Sequence, residues 1–134
     1  MVVRIAIGLF LLALVVLGGG VLFLGTVLHF QYADASDPPH WAVQRSLWLA
    51  YLSALNLFWG ASAVSLFWPH PPSAQLRRVL SVGAIAVSLS GGVLLAVSHT
   101  YGAGRFYMEL AGLIVFSGIV AGTGQILLSS PVAE

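Results

Sequence analysis

At 134 residues, with 59% hydrophobic side chains, 7% charged side chains and a mean hydropathy of +0.98, the chain lies outside the range of soluble domains, in which about a quarter of residues are charged. A net charge of +1 and the lack of any basic-aromatic array exclude nucleic acid as a partner. The absence of cysteine excludes disulfides, thiolate metal sites and thiol redox chemistry.

Four apolar runs, at 5–29, 46–68, 79–98 and 107–129, fill most of the chain. Each is long enough to cross ~30 Å of hydrocarbon at ~1.5 Å per residue. The expected fold is an all-α membrane protein, an up-down bundle of four transmembrane helices in one domain. The first run begins after Arg4, as a signal peptide would. It then continues well beyond the ~7–15 residues of a signal h-region without an A-x-A-like site, so it reads as a retained span. The connection QYADASDPPHWAVQR (31–45) carries two Asp and a His, types that suit a cation site but also ordinary turns.

Span 2 is stopped by WPHPPSAQLRR (68–78), where Pro69, Pro71 and Pro72 stiffen the connection. His70, between these prolines, reads as a solvated loop residue. Arg4, Arg77 and Arg78 then mark one side, and Arg45 and Arg105, with Asp34, Asp37 and Glu109, the other. The paired Arg77-Arg78 in a short loop assigns the first side to the cytoplasm. All five basic residues are Arg, and with the abundant Ala, Gly, Val and Leu this usage points to a GC-rich bacterial genome. The expected location is therefore a bacterial inner membrane, with both termini cytoplasmic.

In lipid, helices associate through small residues that permit close approach. The expected packing stripes include Gly18 and Gly25 on span 1, and Ser53, Asn56, Gly60 and Ala63 on span 2. Span 3 offers Ser81, Ala84, Ser88 and Gly92, and span 4 offers Ala111, Gly118, Gly122 and Gln125. Within the spans, the amides of Asn56 and Gln125 suit interhelical hydrogen bonds first and a ligand second.

The candidate ligand site lies at the ends opposite Arg77-Arg78. His29 and His99 each close an outward span, above Gly25 and Gly18 in one case and above Gly92 and Ser88 in the other. They are expected at similar depth near the bundle axis, where they could ligate a haem iron or bond a quinone carbonyl. The alternative is simple capping of helix C-termini, where the dipole favours His. HTYGAGRFYMEL (99–110) adds Tyr101, Arg105 and Glu109. Its Gly102 and Gly104 permit a tight reversal, Glu109 falls in the first turn of span 4, and Arg105 is spaced to pair with it if that helix starts early enough. A turn explains these residues, and near-membrane ionisable groups are also functional candidates.

No Ser-His-Asp set, Walker loop or H-E-x-x-H occurs, and the spans lack a chain of ionisable residues for ion movement. The expected function is that of a small accessory or assembly subunit of a larger, energy-transducing membrane complex. It would contact lipids and other subunits or further copies of itself, and contribute part of a cofactor or quinone pocket. The alternative is a small membrane enzyme or carrier acting on a hydrophobic molecule around His29, Tyr101, Arg105 and Glu109. Reporter fusions after Arg78 and after Glu134 should both report cytoplasm; a periplasmic signal from either overturns the topology.

Overall fold

The computed structural model describes residues 2–32, 39–68, 72–100, 102 and 105–129, with side chains at all of these apart from 28–32, 39–42, 106 and 129. The described residues form four helices and no strand: α1 (Val2–Tyr32), α2 (Pro39–Phe67), α3 (Ala74–Thr100) and α4 (Arg105–Ser129). Each is long and apolar enough to cross a membrane, with candidate spans of 26, 25, 27 and 22 residues. Large apolar side chains on all four face outward; Val16, Phe23, Leu57, Leu89 and Ile126 are more than half exposed. Water would penalise so much outward apolar surface, whereas hydrocarbon does not.

The helices are longer than the apolar runs. The largest single extension is at the start of α2, where 39–45, expected as loop, is helical. Pro39 occupies the first helical position, where its fixed φ and missing N–H cost nothing. At ~1.5 Å per residue, the 29 residues of α2 extend about 43 Å, enough to cross the polar interfaces as well as the hydrocarbon. Ser73 starts α3 by accepting the Leu76 amide on its side-chain oxygen (3.2 Å). After α3, Gly102 takes φ +60° and donates its amide to the His99 carbonyl, a left-handed position open to glycine at no steric cost.

The most extensive packing is of α3 on α4 and of α1 on α2. In both pairs the helices run antiparallel. Arg4 of α1 meets the end of α2, donating to the carbonyls of Leu66 (2.7 Å) and Trp68 (3.1 Å). The last turn of α2 has no basic residue of its own, so Arg4 supplies the cation that its C-terminal dipole favours. Gly25 of α1 faces Leu49 near the other end. Between α3 and α4 the approach reaches the backbone. A Cβ on Gly118 would lie 2.9 Å from both the Ala84 carbonyl oxygen and the Ser88 amide, and one on Gly91 would lie 2.9 Å from the Val115 amide. Gly122 faces the Ala84 methyl at ordinary contact distance, and Gly60 faces Val15.

The contact stripe of α3 is Leu80, Ala84, Val87, Gly91 and Ser98. Ala84 belongs to the expected stripe as well, and Ser88 lies against Gly118. Leu80, Val87 and Gly91, however, stand one position before Ser81, Ser88 and Gly92, so the contact face is rotated by less than the ~100° of one residue. Gly91 makes the contact, and Gly92 is exposed with open space around it. The two hairpins share fewer contacts, with α4 meeting α1 and α2 and α2 meeting α3; among the described residues α1 and α3 do not touch. At this seam Phe10 of α1 packs edge-on against Phe116 of α4 (5.5 Å). The core also holds Leu11, Leu14, Leu55, Trp59, Ala63, Leu66 and Ile114.

Hydrogen bonds of Trp59, Gln125 and Tyr51 cross the seam, each passing through a serine. Trp59 Nε1 of α2 donates to Ser117 Oγ of α4 (3.0 Å), and Ser117 donates onward to the Ile114 carbonyl (2.7 Å). Gln125 Nε2 of α4 donates to Ser65 Oγ of α2 (3.0 Å), which donates to the Ser62 carbonyl. Tyr51 Oη and Ser90 Oγ lie 2.7 Å apart. Because Ser90 gives its proton to the Val87 carbonyl (2.8 Å), Tyr51 is the donor.

Gly118→Leu should weaken the fold, because its new side chain meets the Ala84 and Ser88 backbone as well as the Ser88 hydroxyl; overpacking of this kind costs about 1–3 kcal/mol or more. Gly112, with nothing within 4 Å of an added Cβ, is the control. Gly112→Ala should leave the thermal midpoint in detergent unchanged or raise it, since alanine favours helix by about 0.5–1 kcal/mol. Equal midpoints for the two variants would show that the α3–α4 approach is not tight.

Candidate functional site

The helix ends around Arg105 carry the depressions with the most varied chemistry. A cleft of about 430 Å³ opens between α2 and α3, lined by Gln44, Leu47, Trp48 and Tyr51 on one side and by Ser90, Val93 and Leu94 on the other. A second, of about 290 Å³, continues toward α4 past Val97, Ser98, Tyr107, Leu110, Ala111 and Ile114. Gln44, Trp48 and Leu94 line both. The helical extension of α2 from Pro39 positions this site, since it sets Gln44 one turn from Trp48 on a rigid element.

Trp48 and Tyr51 pack edge-on, 6.1 Å between ring centroids, a favoured geometry for aromatic pairs. The Tyr51 hydroxyl is anchored on Ser90, so its ring is fixed as a wall and its oxygen keeps acceptor capacity toward the cleft. Neither lining contains a carboxylate, guanidinium or imidazole. The arrangement suits a flat or chain-like apolar molecule with a small number of hydrogen-bonding groups, the usual composition of a small-molecule site.

His99, Arg105 and Glu109 come together in a separate, open groove with Leu95, Ser98, Gly102 and Met108. Buried Ser98 is the wall this groove shares with the second cleft. His99 itself is exposed, one residue beyond Ser98 on α3. Arg105 Nε donates to Glu109 Oε1 at 2.8 Å, with the side chains 92% and 63% exposed. Because α4 starts at Arg105, Glu109 sits past the first turn, where it was expected. The early start completes the four-residue pairing. Exposed pairs of this kind contribute about 0–1 kcal/mol.

Asn56 is elsewhere, at mid-helix against α1. Its Oδ1 points at Gly18, is buried and meets no hydrogen-bond donor among the described residues. Tyr101, the side chain of His29, the loop aspartates Asp34 and Asp37, and His70 lie outside the described residues. Among the described residues no group of three or more His, Asp or Glu is placed to hold a metal ion.

Gln44 and Ser90 went unrecognised in the sequence for different reasons. Gln44 belongs to a stretch polar enough to read as loop, and Ser90 lies off the expected α3 stripe. The aromatic pair Trp48 and Tyr51, at i and i+3, was the available signal. No family model matches this chain, and no curated protein or solved structure matches it either.

The Trp59–Ser117 bond crosses the seam independently of the cleft. The coupling between Trp59 and Ser117 should be about 0.6 kcal/mol, and no more than about 1.7, the range found for hydrogen bonds between membrane helices. A double-mutant cycle of Ser117→Ala with Trp59→Phe measures it from thermal midpoints. Full additivity would mean that the indole and the hydroxyl are not coupled.

Proposed function

We propose that this chain is an integral membrane protein of a bacterial inner membrane, an up-down bundle with both termini cytoplasmic. It serves as a non-catalytic accessory subunit of a larger, energy-transducing complex. Its contribution there is one wall of a pocket for a quinone-like hydrophobic molecule. The observation that carries this reading is the pair of adjoining clefts around Trp48, with fixed aromatic walls, two serines, one amide and no ionisable lining group other than the tyrosines. Such a lining can position and solvate a ligand, and reactive groups would have to come from a partner or the ligand. The larger cleft also opens to the side, between outward residues Leu47 and Val93, where a second subunit can complete it.

A second reading uses the same cleft in a self-contained carrier for a hydrophobic molecule. Purification in mild detergent separates the two. Stoichiometric co-elution with larger subunits, together with a quinone-type compound in the organic extract, supports the subunit. A solitary oligomer with a retained apolar ligand supports the carrier. Trp48→Ala should lower ligand retention about tenfold or more, a loss of ~1.4 kcal/mol, with the fold intact by thermal melting. Recovery of the chain with neither partner nor apolar ligand overturns both.

A further inference from the structure

The opposite end of the bundle has its own groove, about 490 Å³, between the last turns of α2 and the start of α3. Phe58 closes the helix pair above it against Gly83. Below that contact α2 presents Gly60 and Ala61, too small to fill the gap, then Val64 and Trp68, with Leu76 opposite. Val64, Trp68 and Leu76 are 56%, 58% and 42% exposed. Along α2 the groove runs from Gly60 to Trp68, roughly 12 Å at ~1.5 Å per residue.

Three guanidinium groups surround this end. Arg4 is held at the end of α2 by its bonds to the Leu66 and Trp68 carbonyls, which orient the cation without neutralising it. Arg77 follows Leu76 directly in the chain, and its Nε is buried with no hydrogen-bond partner among the described residues. Arg78 is exposed. Among the described residues no carboxylate accompanies them, because the described acidic residue, Glu109, is at the far end. An apolar groove open to the side, at an end where the described charges are all guanidinium groups, suits a molecule with a hydrocarbon chain and an anionic head.

We propose that this groove binds an anionic phospholipid, with one acyl chain along Ala61, Val64 and Trp68 against Leu76 and the phosphate in the field of Arg4, Arg77 and Arg78. The site is independent of the Trp48 clefts. A soluble anion would find the charge without a use for the apolar wall. A zwitterionic lipid would use the wall and gain little from the charge, because basic residues near a membrane surface select anionic headgroups.

Trp68 is a built-in reporter. The full chain is reconstituted in phosphatidylcholine vesicles containing phosphatidylglycerol as a minor component, with bromine on the acyl chains of one lipid or the other. Brominated phosphatidylglycerol should quench Trp68 fluorescence at a lower mole fraction than brominated phosphatidylcholine, and Trp68→Phe identifies the component concerned. The exposed Arg78→Gln should reduce the preference about fivefold, and Arg77→Gln with Arg78→Gln roughly thirtyfold. Ala61→Leu, which fills the groove, should reduce quenching by both lipids. Inorganic phosphate should not displace the lipid. Equal quenching by the two lipids, an unchanged preference in the double variant, or displacement by phosphate alone overturns the proposal. Arg78 is exposed, so the result of Arg78→Gln stands even if the double variant or Ala61→Leu fails to fold.

Discussion

Hydrogen bonds relayed through serine hold the two halves of this bundle in register. Inside hydrocarbon an apolar surface gains nothing by leaving lipid for protein, so helices need close packing or polar contacts to choose their neighbours. Each hairpin has close packing: α3 and α4 meet at backbone distance, and α1 and α2 are clasped by Arg4. The seam between the hairpins has much less of it. There a donor on one side reaches a serine on the other, and the serine hands its own proton to a carbonyl three residues earlier in its own helix. The hydroxyl is thereby satisfied in both directions, so the bond leaves no lone donor in a low-dielectric interior.

This arrangement also explains how so few charges suffice. Polar atoms in the interior are hydroxyls, amides and an indole, and the charged groups are at the two ends. At one end Arg4 makes a helix cap. At the other an exposed ion pair steadies the first turns of α4. The ends differ in character. One offers aromatic-walled clefts without charge, and the other an apolar groove under a positive rim. The bundle therefore presents different chemistry to the two faces of a membrane.

Helix number, and the length needed to cross a membrane, were legible because twenty or more consecutive apolar residues admit few alternatives. Gly118 stood out in the sequence as a small residue on one stripe of α4, and in the structure it lies against the Ala84 and Ser88 backbone. The rotation of α3 was not legible. Its sequence offers small residues on two adjacent faces, Gly91 and Gly92 side by side, and an apolar helix surrounded by lipid lacks the polar face that would reveal its phase. The start of α2 was missed because Pro-His-Trp reads as a turn, although proline at a first helical position is also a start. The pairing of Trp59 with Ser117 depends on that phase across two helices, and spacing within one helix cannot supply it. Gathering of His99, Arg105 and Glu109 followed from their nearness in sequence; the Trp48 cleft, built from distant segments, did not.

The unequal packing has a consequence for biogenesis. Each hairpin closes with contacts between helices adjacent in sequence, so each can leave the insertion machinery as a paired unit before the next is made. The seam joins the two units through bonds whose donors and acceptors sit on different ones. The connection at 68–74 is then needed for proximity more than for register. A cut in that loop would break none of the described contacts that close either hairpin or join the two.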